Sequence, residues 1–356
     1  MIAVTKTYLP NFDVYSKTLK RAWDKAWLTN NGELVQELEQ KLKDYLRIDN
    51  LLFTSNGTIV LQMALKALNI TKEVITTPFS YVATTNSILW EGCKPVFVDI
   101  NEKTFCIDAT KIEAAITSET QAILATHVYG IPCDVEMIEN IATKYNLKVI
   151  YDAAHAFGCI YKGKSLLSFG DISTCSFHAT KIFHTVEGGC ITTNDKEIAK
   201  KLHLYRQFGH VFDDYYSVGI NGKNSEFHAA MGLCVLPDLP KIIMKRKLIV
   251  ALYDKNLNQF VTRPQLNNDF LYNYSYYPIC FKNEEQLIKV MEKLKENNIA
   301  GRRYFFPSLN TLPFINYQSC EISENISRRV LCLPLYFDLP LEDVKRISNL
   351  IIEIVK

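Results

Sequence analysis

Hydrophobic positions along the first two thirds of the chain alternate between helical and strand spacing at short intervals. Residues 59–68 place three leucines on one face of a helix. Short apolar runs that suit strands buried on both faces lie at 96–100, 122–126, 148–151 and 190–193. Strands separated by amphipathic helices are typical of βαβ units, so we predict an α/β fold with a largely parallel sheet.

The pattern changes near Leu236, where a turn with Pro237 and Pro240 precedes a basic helical stretch. Beyond it lie a strand candidate at 276–281, an amphipathic helix around 287–294 and a terminal helix from residue 341. The chain has 356 residues, which is more than one hydrophobic core usually supports. We therefore predict a large domain over residues 1–236 and a smaller C-terminal α+β domain over residues 237–356.

The net charge and the N-terminal sequence argue against nucleic acid and membranes as partners. The net charge is +2 and the Lys and Arg residues are scattered, so the chain lacks the basic surface that binds nucleic acid. Residues 1–10 lack the features of a signal peptide, and we find no apolar run long enough to span a bilayer. We expect a cytoplasmic protein without membrane or nucleic-acid partners.

The chain has ten cysteines, which lie singly in apolar segments without CxxC pairs or metal-type spacing. A cytosolic chain of this size does not depend on disulfides. We expect reduced core cysteines and no metal site.

The chemistry-bearing residues are concentrated between Val149 and Cys190. A strand ends at Asp152, where a carboxylate faces the crevice in which α/β sheets bind ligands, although a lone Asp is equally often a helix cap. Lys181 follows between two strand-like runs, a position where an isolated lysine is usually a surface residue. An amine and an acid in this order match the needs of pyridoxal 5'-phosphate (PLP), whose aldehyde binds an amine and whose ring nitrogen needs a carboxylate.

Phosphate donors are available just before the first amphipathic helix, in the run Ser55-Asn56-Gly57-Thr58. Glycine permits close approach of the backbone, and free N–H groups at a helix N-terminus favour an anion. The same run taken alone is a simple helix cap. Together with Asp152 and Lys181 it indicates a phosphate cradle.

Several strings in this order resemble one family. They are SNGT near 55, PFSYVATTNS near 78, DAAHAFG at 152, SFHATK at 176, EGG at 187 and NGKNSEFHAAMGL at 221. The chain is similar from Trp27 into its C-terminal domain to the DegT/DnrJ/EryC1/StrS family of PLP-dependent sugar aminotransferases. The resemblance implies the aspartate-aminotransferase-like fold (PLP fold type I).

The resemblance also implies roles for single residues. Lys181 matches the lysine that holds PLP as a Schiff base, and Asp152 matches the partner of the ring nitrogen. His155 matches a residue that contacts the cofactor hydroxyl or ring, and Tyr81 matches the aromatic side chain that stacks on the ring. Outside the family context, Tyr81 is as readily a core tyrosine.

Phosphate contacts are implied for Gly57 and Thr58 through their backbone and for Ser176 through its hydroxyl. Asn221 matches an asparagine that reaches the phosphate of the neighbouring subunit, which implies a homodimer with shared active sites. The chain departs from the family at two positions: Lys223 stands where Arg is frequent, and Val186 where Gly is frequent.

The resemblance implies transamination. Family members that dehydrate sugars carry histidine in place of the lysine, and this chain has Lys181. The strings DAAHAFGC, SFHATK and NGKNSE, together with the segment from Trp27 to Gly32, resemble the subgroup that moves the amino group of L-glutamate to C4 of dTDP-4-keto-6-deoxy-D-glucose, a route to O-antigen sugars. Arg302 or Arg303 is a candidate for the diphosphate, because guanidinium groups suit phosphate oxygens; both are equally plausible as surface charges.

The sequence leaves two other substrates open and argues against two other classes of protein. Amination at C3 of a dTDP-3-keto sugar, or at C4 of a UDP-linked N-acetyl sugar, would use the same residues. A regulator that binds a sugar nucleotide without turnover is disfavoured by the intact lysine, aspartate and phosphate donors. An NAD-dependent oxidoreductase requires a GxGxxG fingerprint, which the sequence lacks.

Overall fold

The computed structural model describes residues 1–266 and 269–356. The helices in this part of the chain are α1 Phe12–Asp24, α2 Glu33–Leu46, α3 Gly57–Ala67, α4 Val82–Trp90, α5 Ala109–Ile112, α6 Val135–Tyr145, α7 Lys196–Arg206, α8 Glu226–Val235, α9 Leu239–Leu257, α10 Glu284–Glu296, α11 Glu321–Arg329 and α12 Leu341–Val355. The strands are β1 Asn50–Thr54, β2 Glu73–Thr76, β3 Lys94–Phe97, β4 Thr120–Thr126, β5 Lys148–Asp152, β6 Ile160–Tyr161, β7 Lys164–Ser165, β8 Ile172–Ser176, β9 Gly189–Thr193, β10 His210–Val211, β11 Asp214–Tyr215, β12 Phe270–Leu271, β13 Pro278–Cys280 and β14 Val330–Cys332. Short 3₁₀ turns lie at Glu113–Ala115, Val128–Gly130, Leu166–Ser168, Leu236–Asp238 and Leu309–Thr311.

A seven-stranded sheet in the order β1-β9-β8-β5-β4-β2-β3 forms the centre of the fold. The strands from β8 to β3 are parallel to their neighbours, and β9 is antiparallel to both β1 and β8. The predicted α/β fold with a mostly parallel, mixed sheet is confirmed. Because the connections return through helices, the carboxyl ends of the parallel strands meet at one edge.

The local sequence signals account for most element boundaries. Asp134 caps α6 by accepting the N–H of Met137 at 3.0 Å, and Asn56 caps α3. The strand predicted at 96–100 instead ends at Phe97, because the Asp99 carboxylate accepts the N–H groups that begin α11. The strand predicted at 276–281 is shortened to β13.

Two large hydrophobic clusters meet along α9. Ile242 belongs to the cluster that covers one face of the central sheet, whereas Ile249 and later residues of α9 belong to a second cluster with β13, α10 and α12. The terminal helix begins at Leu341 as predicted, and all ten cysteines are buried and unpaired. The predicted boundary at Leu236 stays a prediction, since the packing changes within a helix a few residues later.

The chain is almost continuously helical from Glu226 to Leu257, and this stretch is long and apolar enough to cross a membrane by length and composition alone. The sequence pattern hid it, because Pro237 and Pro240 interrupt the apolar run. Both prolines lie at first-turn positions of helical segments, where the missing N–H costs no hydrogen bond. Its buried positions contribute to both clusters, which is the packing of a core helix.

Candidate active site

A cavity of about 280 Å³ opens at the carboxyl edge of the central sheet. Seven of the predicted site residues line it: Gly57, Thr58, Tyr81, Asp152, His155, Ser176 and Lys181. β5 and β8 are neighbours, and their last residues are Asp152 and Ser176. The start of α3 adds Gly57, so the cavity brings together residues that are more than a hundred positions apart in the sequence, such as Gly57 and Lys181.

Asp152 is buried at the end of β5 and held by two donors. The hydroxyl of Thr84 donates to one carboxylate oxygen at 2.7 Å, and the N–H of Ala154 donates to the other at 3.1 Å. Burial raises the pKa of Asp152, while the Thr84 hydrogen bond and the charge of Lys181 oppose that shift. Ser80 contacts the Thr84 hydroxyl at 2.7 Å and extends the network.

Lys181 lies in the loop between β8 and β9, where its N–H donates to the carbonyl of His178 at 2.8 Å. Its Nζ lies 3.5 Å from the hydroxyl of Tyr276. Burial lowers the pKa of Lys181, and the negative charge of Asp152 opposes the shift. A lowered pKa increases the fraction of neutral amine, which is the form that attacks a carbonyl.

His155 lies on the same side of the cavity and is buried. Its Nδ1 accepts the backbone N–H of Tyr129 at 3.1 Å, so in the neutral ring the proton is on Nε2. Burial lowers the pKa of His155, and the charge of Lys181 acts in the same direction. Its ring is stacked on Phe305, with the planes 5° apart. The imidazole is thus a neutral donor through Nε2.

The residues predicted to bind a phosphate lie together at the start of α3, and their role stays a prediction. Asn56 accepts the backbone N–H of Thr58 and of Ile59, both at 2.9 Å, so the hydroxyl of Thr58 is its remaining donor. A Cβ on Gly57 would lie 2.6 Å from the Cβ of Ser176, so only glycine lets β8 approach the start of α3 so closely. This approach places the Ser176 hydroxyl beside the helix N-terminus, where an anion is favoured.

Replacing Gly57 by alanine is expected to weaken cofactor binding at least about tenfold, because the new methyl group displaces Ser176 or the start of α3 from the anion site. Titration of the apo protein with PLP, followed by absorbance, measures the change. Gly163→Ala is the control, since a Cβ there meets nothing within 4 Å. Gly163 has a positive φ of 78°, so this control also reports the effect of strain alone. Equal affinities for Gly57→Ala and the native protein would contradict the cradle.

Aromatic side chains that sequence reasoning missed form the wall opposite the sheet. Tyr276, Tyr304 and Phe305 line the cavity and come from the C-terminal part of the chain. Tyr81 is 55% exposed at the start of α4, with its side chain at the mouth of the cavity. Stacking of Tyr81 on the cofactor ring stays a prediction.

The two candidate arginines have different environments. Arg302 lines the cavity, and its guanidinium lies 4.8 Å from the centre of the Tyr304 ring. Arg303 faces away and pairs with Glu284 at 2.7 Å while lying over the ring of Phe306. Arg302 is therefore the arginine that can meet a substrate phosphate, and Arg303 anchors the fold.

Asn221 is exposed and does not line the cavity among the described residues of this chain. It pairs with Gln207 at the base of the β10–β11 hairpin, and the carbonyl of the next residue, Gly222, accepts the N–H of Ser55 at 3.0 Å. The predicted contact of Asn221 with a neighbouring subunit stays a prediction.

Both departures from the family pattern have local consequences. Val186 adopts a φ of 68°, a left-handed conformation that glycine takes without strain and that a β-branched residue rarely adopts. Lys223 lies with its Nζ 4.5 Å from the centre of the Phe208 ring, a cation–π contact that arginine also makes. Neither change disturbs the residues that line the cavity.

Comparison with known proteins agrees with this geometry. The sequence matches the DegT/DnrJ/EryC1/StrS aminotransferase family over residues 14–352. The chain belongs to this family. It is 41% identical over 362 residues to a dTDP-4-amino-4,6-dideoxy-D-glucose transaminase of Shigella dysenteriae, and the match covers 99% of each chain.

Two solved structures are close in fold. DesI, determined in the presence of its TDP-sugar product, has a TM-score of 0.92 and 31% identity, with 98% of this chain and 91% of that chain covered. NtdA of Bacillus subtilis with bound cofactor PMP has a TM-score of 0.90 and 30% identity, with 98% and 83% covered. These findings confirm a PLP-dependent sugar aminotransferase of PLP fold type I.

The cavity residues fit PLP. A lysine with a lowered pKa suits the aldehyde, a buried carboxylate suits a ring nitrogen, and the start of α3 with Ser176 suits a phosphate. Within residues 1–266 and 269–356, no group of three or more His, Cys, Asp or Glu side chains is arranged to hold a metal ion.

Thr84 and Ser80 are the other residues that sequence reasoning missed. Both lie in the string PFSYVATTNS that carried part of the resemblance, but their hydroxyls gave no signal in the sequence. Their role depends on α4 packing beside the end of β5, which brings Thr84 to within 2.7 Å of Asp152.

Proposed function

We propose that this enzyme moves the amino group of L-glutamate to C4 of dTDP-4-keto-6-deoxy-D-glucose. The products would be dTDP-4-amino-4,6-dideoxy-D-glucose and 2-oxoglutarate. The observation that carries the proposal is the full-length similarity to the Shigella dysenteriae transaminase, together with a cavity that contains a lysine, a buried aspartate and an anion site. Arg302 supports a phosphorylated substrate, because its guanidinium faces the same cavity.

Lys181, Asp152 and His155 would have separate roles in the reaction. When bound, PLP supplies an aldehyde that captures an amine and a ring that takes up negative charge from the adjacent carbon. Lys181 holds the aldehyde in the resting enzyme and then, as a free amine, moves the proton at the substrate carbon. Asp152 keeps a proton on the ring nitrogen through a charge-assisted hydrogen bond. Nε2 of His155 can donate to the cofactor hydroxyl.

The wall of aromatic side chains serves the proton transfer. Tyr276, Tyr304 and Phe305 close the side of the cavity away from the sheet and limit the access of water to Lys181. A dry site strengthens the interaction between the amine and the carboxylate and prevents loss of the proton to solvent.

We also propose a homodimer in which Asn221 reaches the phosphate site of the neighbouring subunit. The β10–β11 hairpin and the residues after it lie between Gln207 and Asn221 and expose large apolar side chains, with Phe212 90%, Tyr215 78% and Val218 91% exposed. An isolated apolar hairpin of this kind is typical of a surface that a second subunit covers. The same proposal assigns the enzyme to the cytoplasm, where sugar nucleotides for surface polysaccharides such as O-antigen are made.

The proposed substrate is tested with purified enzyme, PLP and ¹⁵N-labelled L-glutamate. We expect dTDP-4-keto-6-deoxy-D-glucose to be converted to an amino sugar with the ¹⁵N at C4, read from the nitrogen coupling by NMR. The corresponding 3-keto sugar and the UDP-linked 4-keto N-acetyl sugar are run in parallel.

Each of the other possible results of this assay would show which part of the proposal is wrong. Faster turnover with either parallel sugar would show that the substrate is wrong while the enzyme class holds. A protein that forms a yellow complex, is bleached by glutamate and accepts none of the sugars would point to another keto substrate. A colourless and inert preparation would contradict the assignment of Lys181.

A further inference from the structure

A short segment of the C-terminal part of the chain holds Tyr129 and His155 in position through hydrogen bonds. We call residues Tyr272–Tyr276 the brace segment. The hydroxyl of Tyr272 donates to the carbonyl of Tyr129 at 2.9 Å. The N–H of Tyr129 in turn donates to Nδ1 of His155 at 3.1 Å. Tyr272 thus holds the peptide unit that follows Tyr129, and the peptide unit that precedes Tyr129 donates to His155. A tyrosine outside the cavity therefore restrains the residue that contacts the back of the imidazole.

The same segment also holds the backbone of His155. The side-chain amide of Asn273 donates to the carbonyl of His155 at 2.8 Å and to that of Phe157 at 2.9 Å. The single hydroxyl proton of Ser275 is shared between Oδ1 of Asn273, at 2.8 Å, and the His155 carbonyl, at 3.0 Å. Asn273 is fully buried, and its Oδ1 accepts the N–H of Ser275 at 3.0 Å. Both the donor and the acceptor group of its side-chain amide therefore have hydrogen-bond partners.

Tyr129 needs such support, because its backbone is in a conformation that tyrosine rarely adopts. Its φ is 56° and ψ is 11°, in the left-handed region. A residue without a glycine's freedom pays roughly 1 kcal/mol or more to stay there and persists only when its surroundings hold it. Hydrogen bonds at its N–H and at its carbonyl restrain both ends of this residue.

The brace segment is itself anchored. Arg246 of α9 is 4% exposed, and its guanidinium donates to the carbonyls of Tyr274 and Ser275 at 3.3 and 3.0 Å. At the other end of the segment, the Tyr276 ring lies 4.7 Å from the centre of the His155 ring. The brace segment is therefore held by the buried guanidinium of Arg246 on one side and by the contact between Tyr276 and His155 on the other.

We propose that Tyr272 is a positioning residue for His155. Its hydroxyl fixes the carbonyl of Tyr129 and so helps to hold the φ and ψ angles of this residue, which keep its N–H pointed at Nδ1. This N–H places the imidazole proton on Nε2. A hydrogen bond at one ring nitrogen sets the proton at the other. Tyr272 acts through Tyr129 and has no direct contact with the substrate. The proposal rests on His155 as a cofactor contact and is independent of which sugar is the substrate.

The test is Tyr272→Phe, which removes one hydroxyl and keeps the ring. The readout is the ¹⁵N chemical shifts of the histidine rings in the apo protein, with His155 assigned by comparison with His155→Gln. In the native protein we expect His155 to be a single Nε2–H tautomer. In Tyr272→Phe we expect a mixture of tautomers, seen as averaged or broadened ring signals.

Tyr253→Phe is the matched control. Tyr253 is a fully buried tyrosine whose hydroxyl donates to the carbonyl of Pro334 at 3.1 Å in the second cluster, away from the cavity. Both variants lose one buried hydrogen bond to a carbonyl, so both should lower the melting temperature by a similar amount. Only Tyr272→Phe should change the His155 signals.

Kinetics complete the test. A mispositioned imidazole should lower kcat about tenfold and leave the KM for both substrates nearly unchanged. It should also shift the pH at which the absorption spectrum of the bound cofactor changes.

Native His155 signals in a folded Tyr272→Phe protein would overturn the proposal, and so would an equal loss of kcat in Tyr253→Phe. If Tyr272→Phe fails to fold in buffer, both measurements are made on it in trimethylamine N-oxide, which strengthens apolar burial. Averaged His155 signals would then support the proposal, and native signals would overturn it. Failure of the sugar assay would not affect the apo spectra.

Discussion

Replacing Lys181 by alanine is expected to reduce transamination at least about a thousandfold, because one side chain both holds the cofactor and moves the proton. Its Nζ is the amine in the cavity with a pKa lowered by burial, and Asp152 and Tyr276 lie beside it. The purified variant should bind PLP reversibly and lose it on dialysis. Steady-state assays with L-glutamate and the keto sugar measure the loss.

The control for Lys181→Ala is Lys164→Ala, since Lys164 is an exposed residue of β7 far from the cavity wall. It should keep native turnover. The melting temperature of apo Lys181→Ala should be equal to or above the native value, because a buried amine has been removed. More than a few per cent of native activity in Lys181→Ala would refute the assignment.

Replacing Asp152 by asparagine is expected to lower kcat by about 100-fold or more, because an amide cannot supply the charge that keeps a ring nitrogen protonated. The change is nearly isosteric. An asparagine oxygen can still accept from the Thr84 hydroxyl or from the N–H of Ala154. Geometry is therefore kept while the charge is lost, and pre-steady-state reaction with glutamate isolates the affected half-reaction.

The same substitution should stabilise the apo protein at neutral pH. Burial raises the pKa of Asp152 above its value in the unfolded chain, so the folded state binds more protons between the two values. Stability contributed by this group therefore falls as pH rises through that window and is lowest when the carboxylate is charged. Thermal melts at pH 7 should show Asp152→Asn at or above the native melting temperature.

Asp171→Asn is the matched control, because Asp171 holds the opposite end of the same strand by accepting the N–H of Val149 at 2.8 Å. It should leave kcat unchanged. A similar loss of kcat in both variants would mean that Asp152 acts on the strand alone. Thr84→Val, which removes only the hydroxyl donor to Asp152, should give a smaller loss of kcat than Asp152→Asn.

Much of the fold followed from local sequence. The period of the apolar residues predicted the buried strands at 122–126 and 148–151 and a helix at 59–68, because strand and helix periodicities are short-range properties. The structure has this helix at Gly57–Ala67. Where a distant group intervened, the prediction failed. The strand predicted at 96–100 ends at Phe97 because Asp99 caps a helix more than two hundred residues later.

The sequence by itself determined the ordered set of Asp152, Ser176 and Lys181 and the glycine at 57, since strand ends and helix starts are encoded next to these residues. Only the tertiary structure decided what surrounds them. Thr84 and Tyr272 come from distant parts of the chain, and no local pattern marks a hydroxyl that acts through a long-range contact. The sequence offers Arg302 and Arg303 equally, and only the structure places Arg302 at the cavity. Packing of the C-terminal part against the sheet edge brings these groups together, and that packing depends on the whole chain.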